Sequence, residues 1–155
     1  MSLNIKIKHS DNADKNLKLP EYKSDSASGC DLLAHLKTED RKIGVELSPG
    51  ERKLFSVGIL IEIPYGYEGQ IRPRSGLALK NGIGIINSPG TIDSDYRGEL
   101  GVLLINWGSK KYRIEHGERI AQLVFSSVER VNFQLVDNFN STLRGKKGFG
   151  STGKK

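Results

Sequence analysis

Ile43-Gly44-Val45-Glu46-Leu47-Ser48-Pro49-Gly50-Glu51, continued by residues 54–63, decides the fold class. Ile43, Val45 and Leu47 alternate with Gly44 and Glu46, the period of a strand with one buried face. Ser48-Pro49-Gly50-Glu51 reads as a turn, residues 54–63 are rich in β-branched side chains, and Pro64-Tyr65-Gly66 closes the run. The pair predicts a β-hairpin.

The same period extends in both directions. Leu3, Ile5 and Ile7 alternate with polar residues, and further strands are expected at 68–72, 83–87, 91–93, 99–106, 112–114, 119–125 and 131–136. Gly, Pro, Asn or Asp bounds each of them. No stretch sustains a helical period beyond two turns. Short strands, frequent turn signals and 18 glycines point to an all-β sandwich or barrel. The expected organisation is one domain over residues 1–136, with a polar loop at 11–18 and a glycine-rich C-terminal arm over 137–155.

At 155 residues the chain is long enough to bury a real core, since roughly 70% of the unfolded surface is removed at this size. Cys30 is the single cysteine, so no intrachain disulfide forms, and Cys30, His9, His35 and His116 have neither CxxC nor HExxH spacing. A protein-built zinc site is not expected. The N-terminus lacks the apolar run of a signal peptide, and nowhere do 18 apolar residues follow one another. The expectation is a soluble chain of a reducing, intracellular compartment. A net charge of +6 favours an anionic partner, nucleic acid or nucleotide, without choosing between them.

Several segments do not read as scaffold. Residues 144–155, Arg-Gly-Lys-Lys-Gly-Phe-Gly-Ser-Thr-Gly-Lys-Lys, offer backbone N–H groups, hydroxyls, five basic side chains and one ring. Gly148-x-Gly150-x-x-Gly153 satisfies a dinucleotide-binding pattern and Gly148-x-x-x-x-Gly153-Lys154 nearly a P-loop, yet both need a helix downstream. The remaining readings are a mobile arm that closes on a polyanion or a disordered basic tail. Arg72-Pro73-Arg74-Ser75-Gly76 sets two guanidinium groups and a hydroxyl at a strand end, either to grip oxyanions or as a basic edge that discourages aggregation. Residues 87–99 read as a tight hairpin that gathers Asp93, Asp95, Tyr96 and Glu99. Asp93 follows the apolar Ile92 in a β run, where a carboxylate needs a hydrogen-bonded or charged neighbour. Asp31 poses the same puzzle, with a turn cap as its ordinary explanation. Gln122, between apolar neighbours, is either a buried side chain satisfying backbone or a pocket contact.

Taken in order, these segments resemble the trimeric dUTP diphosphatases, whose five short motifs all occur here. They are met by Ser28-Gly29-Cys30-Asp31-Leu32, by residues 73–78, by residues 90–98, by Gly117-Glu118-Arg119-Ile120-Ala121-Gln122-Leu123, and by residues 144–153. Ser28 stands where alanine is common, Glu118 where aspartate is commoner, and Lys147 where glycine is often found.

The resemblance implies a jelly-roll β fold, the dUTPase-like β-clip. It also implies a cytoplasmic homotrimer with active sites at subunit interfaces, and Mg²⁺-dependent cleavage of dUTP to dUMP and pyrophosphate. Such a reaction limits uracil incorporation into DNA and supplies dUMP for thymidylate synthesis. By motif position, Asp93 is the general base. Arg74, Ser75, Gly76 and Gln122 bind phosphates, and Asp31 holds the metal through water. Asn87, Thr91, Ile92 and Gly101 read the base, and Tyr96 packs on deoxyribose so that a 2′-hydroxyl finds no room. Phe149 stacks on uracil, while Arg144, Gly150, Ser151 and Thr152 close over the γ-phosphate.

Two other functions remain. A dCTP deaminase, or a bifunctional deaminase and diphosphatase, shares the fold and would release ammonia from dCTP. A non-catalytic basic domain binding single-stranded nucleic acid through Phe149, Tyr65 and Tyr67 would bind with steep salt dependence. It leaves Asp31 and Asp93 without purpose, so neither a stable nucleic-acid complex nor a membrane partner is expected.

Overall fold

The computed structural model describes residues 3–148. Ten strands follow one another: β1 (Lys6–His9), β2 (Cys30–Leu33), β3 (Val45–Leu47), β4 (Arg52–Glu62), β5 (Tyr67–Arg72), β6 (Ile83–Ile85), β7 (Gly90–Ile92), β8 (Glu99–Asn106), β9 (Tyr112–Ile114) and β10 (Arg119–Ser127). One α-helix, α1 (Ser75–Asn81), and a single 3₁₀ turn at Thr38–Asp40 complete the elements. Two four-stranded antiparallel sheets, β1-β4-β8-β6 and β2-β10-β5-β7, and the small pair β3-β9 make the all-β jelly roll, with open sheet edges.

Alternation places Phe55, Val57, Ile59 and Ile61 of β4 against Leu100, Val102 and Leu104 of β8, and against Leu32, Ile71, Ile120 and Leu123 of the other sheet. Asn106 is the fully buried polar residue of this core. Its amide donates to the carbonyls of Leu47 and Lys110, each at 2.8 Å, and its Oδ1 accepts from Gly108 N–H at 2.8 Å. Every polar atom of the side chain is thereby satisfied, as burial requires.

The expected hairpin of residues 43–63 does not form. β3 pairs with β9, Val45 opposite Ile114, while β4 pairs with β1 and β8. The turn itself is real, with Glu51 N–H donating to Ser48 O at 2.9 Å, but it carries the chain from one sheet to another. Gly50 N–H and Glu51 O bind the backbone of Asn106 at 2.7 and 3.0 Å, which ties the turn to the end of β8. Residues 87–99 depart likewise: β7 pairs with β5 and β8 with β4 and β6, so the limbs of that supposed hairpin lie in different sheets.

Residues 131–136 form no strand. Phe133 and Leu135 are 97% and 100% exposed, and no strand among the described residues lies alongside them. Residues 75–81, for which the sequence predicted no element beyond the strand end at Arg72, are helical. Arg74 is still extended (ψ 126°), and Gly82, at φ 69°, ends the helix by donating to Ala78 O at 3.0 Å. Two turns are too short to leave a period in the sequence.

Candidate functional site

β10 lies between β2 and β5, and its register sets Gln122 opposite Asp31 on one side and Arg72 on the other. Directly opposed residues share a face, so Asp31, Gln122 and Arg72 form one row across three strands. Asp31 is neither a lone acid nor a turn cap. Its Oδ1 lies 3.2 Å from Arg74 Nε and its Oδ2 3.1 Å from Arg119 Nη1, with the carboxyl side chain only 13% exposed. Arg74 Nη1 also donates to Arg119 O at 2.9 Å. Gln122 Nε2 donates to Pro73 O at 3.0 Å, which fixes the extended segment carrying Arg74. Gly29 makes room beneath it, for a Cβ there would stand 2.8 Å from Gln122 Oε1. Ser75 and Gly76 follow at once, exposed, opening a helix whose first N–H groups have no intrahelical acceptor.

The other group of expected residues lies elsewhere on the chain. Asp93 follows the end of β7, lines a cavity of about 520 Å³ with Tyr65, Tyr67, Glu68, Asp95, Val128 and Arg130, and is exposed. In the single chain Asp93 lacks the hydrogen-bonded neighbour expected of it: no side-chain hydrogen bond to Asp93 occurs among the described residues. Alternation along a three-residue strand could not reveal this, because β7 ends at Ile92 and the next residue has left the sheet. Asn87 lies in the turn before β7, and Thr91 and Ile92 lie on it. Tyr96 donates its hydroxyl to Glu99 O at 3.0 Å. Gly101, on β8, is covered by Leu54, whose Cδ1 would stand 2.8 Å from a Cβ at that position.

One chain does not bring these two groups together. β7 runs along β5 with Ile92 opposite Gly69, so Asp93 continues toward Glu68, whereas Gln122 faces Arg72 and Arg74 lies beyond it. From Glu68 to Arg72 is four residues of strand, about 13 Å at 3.3 Å per residue. Arg144, exposed, donates through Nε to Lys147 O at 3.0 Å and touches neither group. Phe149, Gly150, Ser151 and Thr152 lie outside the described residues.

Among the described residues no three His, Cys, Asp or Glu side chains are grouped to hold a metal ion. Asp31 fits an outer role only, since each oxygen already lies against one guanidinium, Oδ2 accepting from Arg119 and Oδ1 ion-paired with Arg74, and each retains a lone pair for water. Glu118 has a clear use. Its two oxygens accept from Tyr112 Oη at 2.6 Å and Glu115 N–H at 2.9 Å. Burial, with Glu118 next, pushes the Tyr112 phenol well above its ordinary range and keeps it a neutral donor. Arg119 is the residue that motif reading left without a role. Its contact with Asp31 depends on a bulge, which alternation does not reveal.

Residues 15–153 match the family model for dUTPase. A deoxyuridine 5′-triphosphate nucleotidohydrolase of Anaeromyxobacter sp. is 47% identical over 154 residues, 99% of this chain and 100% of that protein. The protein of the same name from Methylocella silvestris is 52% identical over 138 residues, 89% of this chain and 84% of the other. Among solved structures, the dUTPase of Staphylococcus bacteriophage 80alpha with dUpNHpp superposes with a TM-score of 0.81 at 29% identity, covering 97% of this chain and 98% of that one.

Proposed function

The chain belongs to the dUTPase family, and from that premise we propose how it hydrolyses dUTP to dUMP and pyrophosphate: in sites completed between copies of the chain, most simply a homotrimer. What carries this reading is the distance between Asp93 and the Arg74–Gln122 row. A base and its phosphate grip must meet within hydrogen-bond reach of one substrate, and a second copy supplies what β5 holds apart. The apolar side chains of Val131, Phe133 and Leu135, exposed in the single chain, support association.

In such a site Asp93 accepts a proton from one water as its oxygen bonds to the α-phosphorus, and the bridge to the β-phosphorus breaks with pyrophosphate leaving. General-base assistance of this kind contributes about 10²–10⁴-fold. An exposed Asp93, free of side-chain partners among the described residues, is available to that water once a partner surface covers it. Arg74, Ser75, Gly76 and Gln122 offer donors to the phosphate oxygens, held in place before substrate arrives. Bound Mg²⁺ would neutralise charge on the triphosphate, with Asp31 holding it through water. Asn87, Thr91, Ile92 and Gly101 define the uracil pocket, and Tyr96 excludes the 2′-hydroxyl. The glycine-rich residues 137–155 form the closing arm: Phe149 stacks on the base and Arg144, Gly150, Ser151 and Thr152 bind the γ-phosphate. The buried thiol of Cys30 suits the reducing cytoplasm.

Pyrophosphate release from dUTP, dCTP, dTTP and UTP with Mg²⁺ tests the reading. The expected result is release from dUTP alone. Ammonia from dCTP, or equal rates with all four, would contradict it.

A further inference from the structure

Regular alternation sends Arg119 and Gln122, three residues apart on β10, to opposite faces of the sheet. The register of β10 on β2 breaks between Arg119 and Ala121: Arg119 faces Leu33, while Ala121 faces Leu32. Ile120 is the extra residue of this bulge, and both Ile120 and Ala121 are buried. Leu33 is on the same face as Asp31, so the bulge turns Arg119 onto the face that carries Asp31 and Gln122. Re-aiming one side chain is what such an inserted residue does. The result is the 3.1 Å contact of Arg119 Nη1 with Asp31 Oδ2, opposite the 3.2 Å contact of Arg74 Nε with Oδ1.

We infer that Arg119 is a positioning residue for triphosphate binding: by occupying one oxygen of Asp31 it holds Arg74 to a single-oxygen contact and leaves Arg74 Nη2 open to phosphate. The inference deepens the dUTP reading and rests on it. A carboxylate facing one arginine alone takes it fork to fork, using two parallel N–H groups and neutralising the charge. Here one carboxylate is shared by two guanidinium groups, so the cluster keeps a net charge of +1. Arg119 contributes a second restraint through its backbone, since its carbonyl accepts from Arg74 Nη1 at 2.9 Å. Arg74 Nη2 makes no hydrogen bond within the described residues and is the group left for the ligand. Arg119 itself is 46% exposed, so burial does not account for its position.

The test measures binding of dUpNHpp and of deoxyuridine in EDTA, so that neither turnover nor metal enters. Arg119→Gln should weaken dUpNHpp about tenfold and leave deoxyuridine within about twofold, because the lost interaction concerns only the phosphates. Arg119→Lys, which keeps a cation on Oδ2, should stay within about threefold of wild type. The decisive variant is Arg119→Gln combined with Asp31→Asn, which frees Arg74 from a full ion pair. It should recover at least about threefold of the loss, a coupling that independent sites do not give. Wild-type affinity in Arg119→Gln, equal losses for both ligands, or a double variant weaker than the single one would overturn the inference. Pyrophosphate release by the wild-type chain tests the underlying dUTP reading separately.

Discussion

The ring of Tyr96 lies against Gly98, where any Cβ would overlap the phenol, and its hydroxyl reaches the Glu99 carbonyl at 3.0 Å. A glycine two residues on therefore sets where the ring stands. If Tyr96 excludes the 2′-hydroxyl, Tyr96→Ala should narrow the dUTP/UTP ratio of kcat/KM by about tenfold or more, and Gly98→Ala should do so through displacement of an intact ring. Unchanged ratios in both variants would remove Tyr96 from sugar selection.

Gly29 is a second close approach, at 2.8 Å from Gln122 Oε1 to a Cβ that is not there. Gly29→Ala should push the Gln122 amide from Pro73 O and loosen the segment bearing Arg74. The expected effect is a rise in KM for dUTP of about tenfold with the fold retained, since a neutral hydrogen bond is worth roughly 1 kcal/mol and the clash adds to it. Unchanged KM would mean that Gln122 does not position this segment.

A histidine pair outside the site should govern acid stability. His35 Nε2 accepts from Asp14 N–H at 2.7 Å and lies 3.3 Å from Arg41 Nη2. The His116 ring stands edge-on at 5.5 Å, with its Nε2 3.2 Å from Asp14 Oδ2. Burial first, then the Arg41 and His116 charges, hold His35 below its ordinary 6.5, against smaller opposing effects of Glu99 and Asp14. The unfolded chain then binds the proton more readily, so the contribution is complete above 6.5 and is lost as pH falls below it, at no more than about 1.4 kcal/mol per pH unit. Melting temperatures at pH 7.5 and 5.5 should differ less in His35→Gln, which offers an acceptor that does not titrate. An equal acid loss in both proteins would rule His35 out.

Truncation after Asn140 removes every arm residue assigned to substrate. The shortened chain should stay folded and associated and should bind dUTP, yet lose about 100-fold or more of kcat, because water exclusion and the γ-phosphate contacts go with the arm. Full turnover would refute the closing role.

Much of this was legible in the sequence, and what was not has definite causes. Residues 99–106 and 112–114 read as strands to the residue, because alternation and flanking turns coincide there. The same alternation at 43–63 predicted a buried face that holds for Leu47 but not for Ile43, which is exposed, and it did not reveal the partner, so it produced a hairpin where β3 in fact joins β9. β2 escaped notice because the adjacent apolar residues Leu32 and Leu33 break its alternation. Residues 131–136 carry a strand pattern with no partner strand among the described residues. Motif order singled out Asp31, Arg74, Gln122 and Asp93 as the residues expected at the site, but only the register of β5 revealed that they divide into two groups. Arg119 was hidden because a bulge changes which face a residue occupies without changing composition.

Subunit complementation tests the central claim, that Asp93 of one copy works on phosphates held by Arg74 of another. Asp93→Asn and Arg74→Gln homo-oligomers should each fall at least about 100-fold in kcat. Mixed by co-refolding in equal amounts, they should recover about one quarter of wild-type activity per site, the fraction of interfaces that pair an intact Asp93 with an intact Arg74 in a closed symmetric assembly. A mixture no more active than its two components would place both residues in the same copy and contradict the account.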